Sequence, residues 1–207
     1  DTTANGGTGG TVDGRASGGA DEPELSVGGT TTINAGDGDV FLDVATNDFV
    51  GAITITSSDR VDIVDANTLS IDSVTAATSF FAQAITGAIL DASAAETPNI
   101  TSPSVALRAA TGIGLETDAG DIDTNAGTLA AVTESGDIVV NESNTLIIGT
   151  VDSLSGVTIT DAAPNNNTGN DNIAVFATGS LTIGQPVVNN DGGGIFLVLD
   201  QAGNNLP

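Results

Sequence analysis

The sequence predicts an all-β chain wound as a parallel β-helix, a β-solenoid with imperfect coils of about 19 residues. Three observations lead there. Short runs of alternating apolar and polar residues recur roughly every eight to ten positions. The same strand motifs are used more than once along the chain. The apolar residues are chiefly Ile, Val, Leu and Ala, separated by Gly, Asn, Asp and Ser, and no stretch sustains a capped 3.6-residue period.

Residues 1–29 differ from the rest of the chain. Gly, Thr, Asp and Ser dominate, apolar periodicity is missing, and runs such as NGGTGGT at 5–11 and SGGADEPE at 17–24 read as an extended arm or linker. Residues 30–207 form the solenoid domain in this reading. Its strands include TTIN at 31–34, DVFLDV at 39–44, AITIT at 52–56, DIVV at 137–140, GVTIT at 156–160 and IAVFA at 173–177. The best helical alternative, SFFAQAITGAILDASAA at 79–95, is interrupted by Gly87, so strand is expected there too.

Internal similarity separates a solenoid from a sandwich or barrel, which have no reason to reuse one strand motif. NTLSIDSV at 67–74 returns as NTLIIGTV at 144–151, with a looser copy, GSLTIGQPV, at 179–187. The first two lie 77 residues apart, or four coils of about 19. Other offsets are not multiples of that step, so some coils carry insertions, such as APNNNTGNDN at 163–172, or the copies sit on different faces.

Coil corners need left-handed or tightly turned backbone, which Gly, Asn and Asp supply. Much of the acidity is therefore expected at turns. Phe41, Phe49, Phe80, Phe81, Phe176 and Phe196 are the only aromatic residues, and they are expected to fill the core or cover an end. Phe80 and Phe81 are adjacent, so on a regular strand only one of them can face inward.

The chain carries 27 Asp and Glu against three Lys and Arg, a formal net charge of −24. Arg15, Arg60 and Arg108 cannot build the cationic surface that nucleic acid or anionic lipid requires, so neither is expected as a partner. With no His, Cys, Met, Trp or Tyr, zinc sites of the usual kind, Ser-His-Asp and Cys-His nucleophiles, lysine Schiff bases and P-loops each lack an indispensable residue. No secretion signal, lipidation motif or membrane-spanning segment is read in the sequence. A start at Asp1 fits a mature product or a piece of a longer protein.

The stretches SVALRAATGIG at 104–114, GTLAAVTESGDIVVNESNTLIIGTVDSLSGVTIT at 127–160 and GSLTIG at 179–184 resemble the degenerate repeats of the filamentous haemagglutinin type of adhesin and related giant bacterial surface proteins. The similarity spans roughly residues 30–200. It implies a right-handed parallel β-helix, exported and displayed outside the cell as a stalk, fibre or adhesive rod. The family's secretion module and a receptor-binding domain are not recognisable here, so the chain reads as shaft rather than tip. The expected role is a non-enzymatic structural or adhesive module of an extracellular fibre or biofilm surface. Its expected partners are neighbouring solenoid units or further copies of itself, with surface glycans or a cell-surface receptor as the adhesive alternative. Without polar caps, the end strands, GGGIFLVLD at 192–200 among them, would stack on the next coil.

Carboxylates are the only candidate chemistry. Asp118, Asp121 and Asp123, with Asp137 expected one coil later, could supply oxygens to calcium, and so could Asp37 and Asp39. Neither group matches an EF-hand or a nonapeptide calcium repeat, and no other cofactor is expected. The pairs Asp37 with Asp39 and Asp121 with Asp123 could also act as the acid and base of a polysaccharide-active enzyme. Missing Trp and Tyr platforms argue against that, and the chain is read as not an enzyme. Asn99, Asn141 and Asn166 open Asn-x-Ser/Thr triplets at close to the number chance would give.

Overall fold

The computed structural model describes residues 11–14, 25–93, 95–117, 119–161 and 169–199. Every regular element among them is a β-strand, and seventeen strands join one sheet whose pairings are all parallel. The chain makes successive passes, each laid on the one before. β1 (Val12–Asp13), β2 (Ser26–Val27) and β3 (Thr31–Asn34) come first, and β4 (Val40–Leu42), β5 (Asp48–Phe49) and β6 (Ile53–Ser57) pair with them in turn. β7 (Arg60–Asp65), β8 (Leu69–Thr75), β9 (Ser79–Ala84) and β10 (Ile89–Asp91) come next. β11 (Ile100–Ala109) and β12 (Ile122–Thr133) are longer, and the first and second halves of each belong to different pairing columns. β13 (Ile138–Glu142), β14 (Leu146–Ile148), the short strands β15 (Thr150–Val151) and β16 (Leu154–Ser155), β17 (Val157–Ile159) and β18 (Ile173–Ala177) precede a last set. That set is β19 (Leu181–Ile183), β20 (Val187–Asn189) and β21 (Ile195–Leu199).

The alternation in the sequence is what makes these strands. In β6, Ile53 and Ile55 are buried and Thr56 is exposed; in β9, Phe80, Ala82 and Ala84 are buried while Ser79, Phe81 and Gln83 are half-buried. A parallel ladder places equivalent residues about 4.8 Å apart, so like stacks on like. One interior column runs Val12, Val40, Val61, Phe80, Val105, Leu129, Ile148, Ile183. Another runs Ile33, Ile55, Val74, Ile100, Thr124, Glu142, Ala177, Leu199. β-Branched side chains suit such a wall, and each one fully buried contributes about 1.5–3 kcal/mol. This arrangement is consistent with a β-solenoid.

The register steps are uneven. Val61 to Phe80 and Leu129 to Ile148 are steps of 19 residues, but Phe80 to Val105 is 25 and Val140 to Val175 is 35. The longer steps fall where more residues intervene between strands, at 92–99, 115–121 and 160–172; of these, 94, 118 and 162–168, which hold most of the expected insertion at 163–172, lie outside the described residues. The similar motifs do not all share a column. Leu69 of NTLSIDSV pairs with Ile89, whereas Leu146 of NTLIIGTV pairs with Leu181 of the third copy. Their 77-residue spacing is therefore not a register; it reflects a corner chemistry used twice. After each Asn-Thr-Leu, the next pass lays a Gly over the Asn-Thr peptide. A methyl group at Gly179 would sit 2.6 Å from Thr145 Oγ1, and one at Gly87 would sit 2.6 Å from Thr68 N, so only glycine fits.

Residues 79–95 form β9 and β10, as the strand reading expected. Within the segment expected to be an arm, β1 and β2 pair with β4 and β5; residues 1–10 and 15–24 lie outside the described residues. One departure from parallel pairing is the hairpin β15–β16, in which Asp152 takes a left-handed conformation with φ of 51°. It covers the outer face of the sheet, where Val151 and Leu154 pack on Phe81, Ala106 and Ala130. Phe80 thus faces in and Phe81 out. Phe49 is in the core, Phe176 packs outside with Val139 and Ala174, and Phe196 is exposed on the last strand.

Candidate functional site

Acidic and amide side chains at the corners tie one pass to the next. Buried Asp65 accepts from Phe49 N at 2.9 Å through Oδ2 and from Asn67 N at 2.7 Å through Oδ1. Buried Glu142 repeats the device: Oε2 accepts from Thr124 Oγ1 at 2.7 Å and Ala126 N at 2.9 Å, and Oε1 from Asn144 N at 3.0 Å. In both cases one bond goes sixteen residues back and another goes two residues forward. Asn47 accepts from Leu25 N, Asn99 from Asp123 N, Asp171 from Gly136 N and Asp137 from Asn172 N in the same way. At four of the acidic groups, loss of solvent outweighs such bonds in setting protonation. Burial pushes the carboxyls of Asp65, Asp91 and Asp137 above their ordinary value, and Glu142 up to about 6.

The carboxylates singled out from the sequence fall in three places. Asp37 is exposed and Asp39 half-buried in the turn between β3 and β4, where a shallow groove is lined by Gly36, Asp37, Ser57, Ser58 and Asp59. Asp118 lies outside the described residues. Asp121 and Asp123 are buried and meet Glu96, with one carboxylate oxygen of each within 4.8 Å of the others. Asp123 Oδ1 also accepts from Asn141 Nδ2 at 2.9 Å. Asp137 does not join them: its Oδ1 accepts from Asn172 N at 2.6 Å, and its charged neighbours are Glu116, Asp171 and Asp191.

Glu96 is the residue that reading the sequence missed. It lies 25 residues before Asp121, close to the 24-residue step between Ile100 and Thr124, so the register, once known, would have found it. Three carboxylates offer hard oxygens of the kind a calcium ion accepts, fewer than its usual six to eight ligands. Buried Asn99 donates its amide to Asp91 Oδ1 at 2.7 Å and to Asp72 O at 3.3 Å, so that triplet is engaged inside the fold.

Arg60 anchors a second feature. It holds Asp62 at 3.0 and 2.8 Å, lies 5.7 Å from the centroid of Phe41, and reaches Asp152 of the hairpin at 3.7 Å. Burial raises the Asp62 carboxyl, opposed by its bond to Arg60. An open groove of about 470 Å³ beside it is lined by Asp43, Val64, Phe81 and Ser153 as well.

Among the described residues, the most extended run of exposed apolar side chains is at the C-terminal end. All five residues of β21 are 37–55% exposed, whereas all five of β18, which β21 covers, are buried. Ile183 and Val188 of the same final set are exposed too. At the opposite end, a small cavity of about 160 Å³ opens among Leu25, Val27, Thr31, Ile33, Leu42 and Phe49.

A family model described as repeats of unknown function (DUF5649) matches residues 2–56, the segment that holds β1 to β5 and all of β6 but its last residue. No curated protein and no solved structure matches the chain. No helix among the described residues is long and apolar enough to cross a membrane, which says nothing of β-barrels.

Proposed function

We propose that the chain is a non-enzymatic structural module of an extracellular bacterial fibre, stalk or surface protein. In this reading it is a right-handed parallel β-helix whose basic coil of about 19 residues is lengthened by insertions, and it stacks end to end with neighbouring solenoid units. The observation that carries the proposal is the pair of interior columns that run the described length of the molecule and end on exposed apolar residues, one at Ile183 of β19 and the other at Leu199 of the apolar strand Ile195–Leu199. A solenoid that lacks a polar cap exposes such an edge, and the edge gains by being covered. The repeat match over residues 2–56 supports a modular parent, and the motifs at 104–114, 127–160 and 179–184 support an exported adhesin-like shaft. The corner bonds of Asp65, Glu142, Asp137 and Asp171 give part of the acidity a structural purpose without catalysis. Negative-stain electron microscopy of the purified chain at high concentration tests the role. Thin rods longer than one molecule are expected, and isolated compact particles at every concentration would contradict it.

The meeting of Glu96, Asp121 and Asp123 favours a second reading, in which calcium braces the insertion before β11 against the start of β12. Calorimetric titration with calcium chloride is expected to show saturable binding that Asp121→Asn removes. Heats no larger than dilution would dismiss it.

A further inference from the structure

We infer that the C-terminal end of this chain docks on the N-terminal end of a second copy, with β21 lying parallel beside β3 so that Leu199 falls opposite Ile33. The inference rests on the solenoid reading and adds the partner, the polarity and the register. Leu199 and Ile33 are the two ends of one column, joined by an unbroken series of parallel pairs, and Ile183 and Val12 are the two ends of the other. Placing one copy on the next continues both columns at once, with the spacing and strand direction that the chain uses internally.

The chemistry of the two ends agrees. β2, β3, β19, β20 and β21 contain no charged residue and β1 carries one, Asp13, so in a molecule of net charge −24 these edges are where two copies meet with least repulsion. β21 is apolar on both faces, the composition of a strand buried on both sides of a parallel sheet. The cavity among Leu25, Val27, Ile33, Leu42 and Phe49 offers an apolar seat at the receiving end. A two-fold arrangement, tail against tail, would run β21 antiparallel to its own copy. It would also abandon the winding direction that lets corner side chains such as Asp65 and Glu142 bond forward and back. Head-to-tail contact is heterologous and does not close, so it produces filaments rather than dimers.

The chain has no cysteine, so introduced thiols report without background. Thr32 and Val198 are exposed and immediately precede Ile33 and Leu199, which places them opposite each other in the docked pair. Thr32→Cys and Val198→Cys proteins are mixed in equal amounts, oxidised, and compared with each protein oxidised alone. The mixture is expected to give at least about tenfold more disulfide dimer than either alone. Cross-linking of Val198→Cys with itself as efficiently as in the mixture would overturn the polarity. Variants that keep a β-sheet circular dichroism spectrum and a cooperative melt yet show no preference would overturn the docking and leave the solenoid reading standing. Loss of the β-sheet spectrum from the unmodified chain would instead sink that reading. As a check that needs no thiol, Leu197→Asp is expected to abolish concentration-dependent sedimentation, and association unchanged in that variant would also overturn the inference.

Discussion

Glu142 is the most consequential single residue of the interior. It stands in a column otherwise built mainly of Ile, Val and Ala, fully buried, with three donors on its carboxylate. Its proton is held up to about 6 against an ordinary 4.5, because burial disfavours the charged form more than the donors favour it. The native state therefore binds this proton more tightly than the unfolded chain does. The stabilisation is complete below about 4.5 and is lost as the pH rises through about 6. Asp65, Asp91 and Asp137 shift in the same direction. The melting temperature is expected to rise on going from pH 7.5 to 5.5, with Glu142 contributing about 0.8 kcal/mol in that window. Glu142→Gln should flatten that dependence, and a melting temperature that falls steadily on acidification would contradict the assignment. None of this was legible beforehand. The sequence marks Glu142 as one acidic residue in NES, and only the fold reveals that it meets Thr124 and Ala126 sixteen to eighteen residues back.

At the scale of elements, β9 and the hairpin β15–β16 show where reading the sequence succeeds and where it stops. The adjacency of Phe80 and Phe81 was enough to require that they face opposite ways, because strand side chains alternate. What covers the outward ring was not foreseeable. The hairpin that supplies Val151 and Leu154 lies some seventy residues later and looks in the sequence like an ordinary turn, TVDSLSG. Phe80→Ala is expected to cost about 3–5 kcal/mol, since it leaves a cavity in a column of buried residues. Phe81→Ala should cost less, because its ring is half-exposed beneath a two-stranded flap. Urea denaturation of the two variants checks the order, and equal losses would show that the outer cluster is as well packed as the core. The motif copies carry a similar lesson. Asn-Thr-Leu at 67–69 and 144–146 made a repeat visible, yet the copies lie in different columns. What they share is local, a corner that a glycine of the next pass must cross.

For the whole molecule, the alternation of short strands pointed to β-structure, because one buried wall needs residues in every second position, and the reuse of strand motifs pointed to stacked parallel passes. Coil length was not legible, because insertions at corners change the step from 19 to as many as 35 residues without disturbing the columns. The candidate cation cluster was legible only in part. Asp121 and Asp123 share a face by simple alternation, whereas Glu96 arrives from the preceding pass. The net charge of −24 also changes meaning at this scale. Part of it is spent at corners, bonded to backbone amides, while the terminal strands carry a single charged residue, Asp13 of β1.

Strands stacked along the length of a filament have one direct signature, the spacing between them. Oriented X-ray diffraction from aligned filaments of the chain is expected to place a reflection at about 4.8 Å along the filament axis, because each pass and each docked copy adds one strand in that direction. The same reflection at right angles to the axis, or no filament to align at any concentration, would contradict the account.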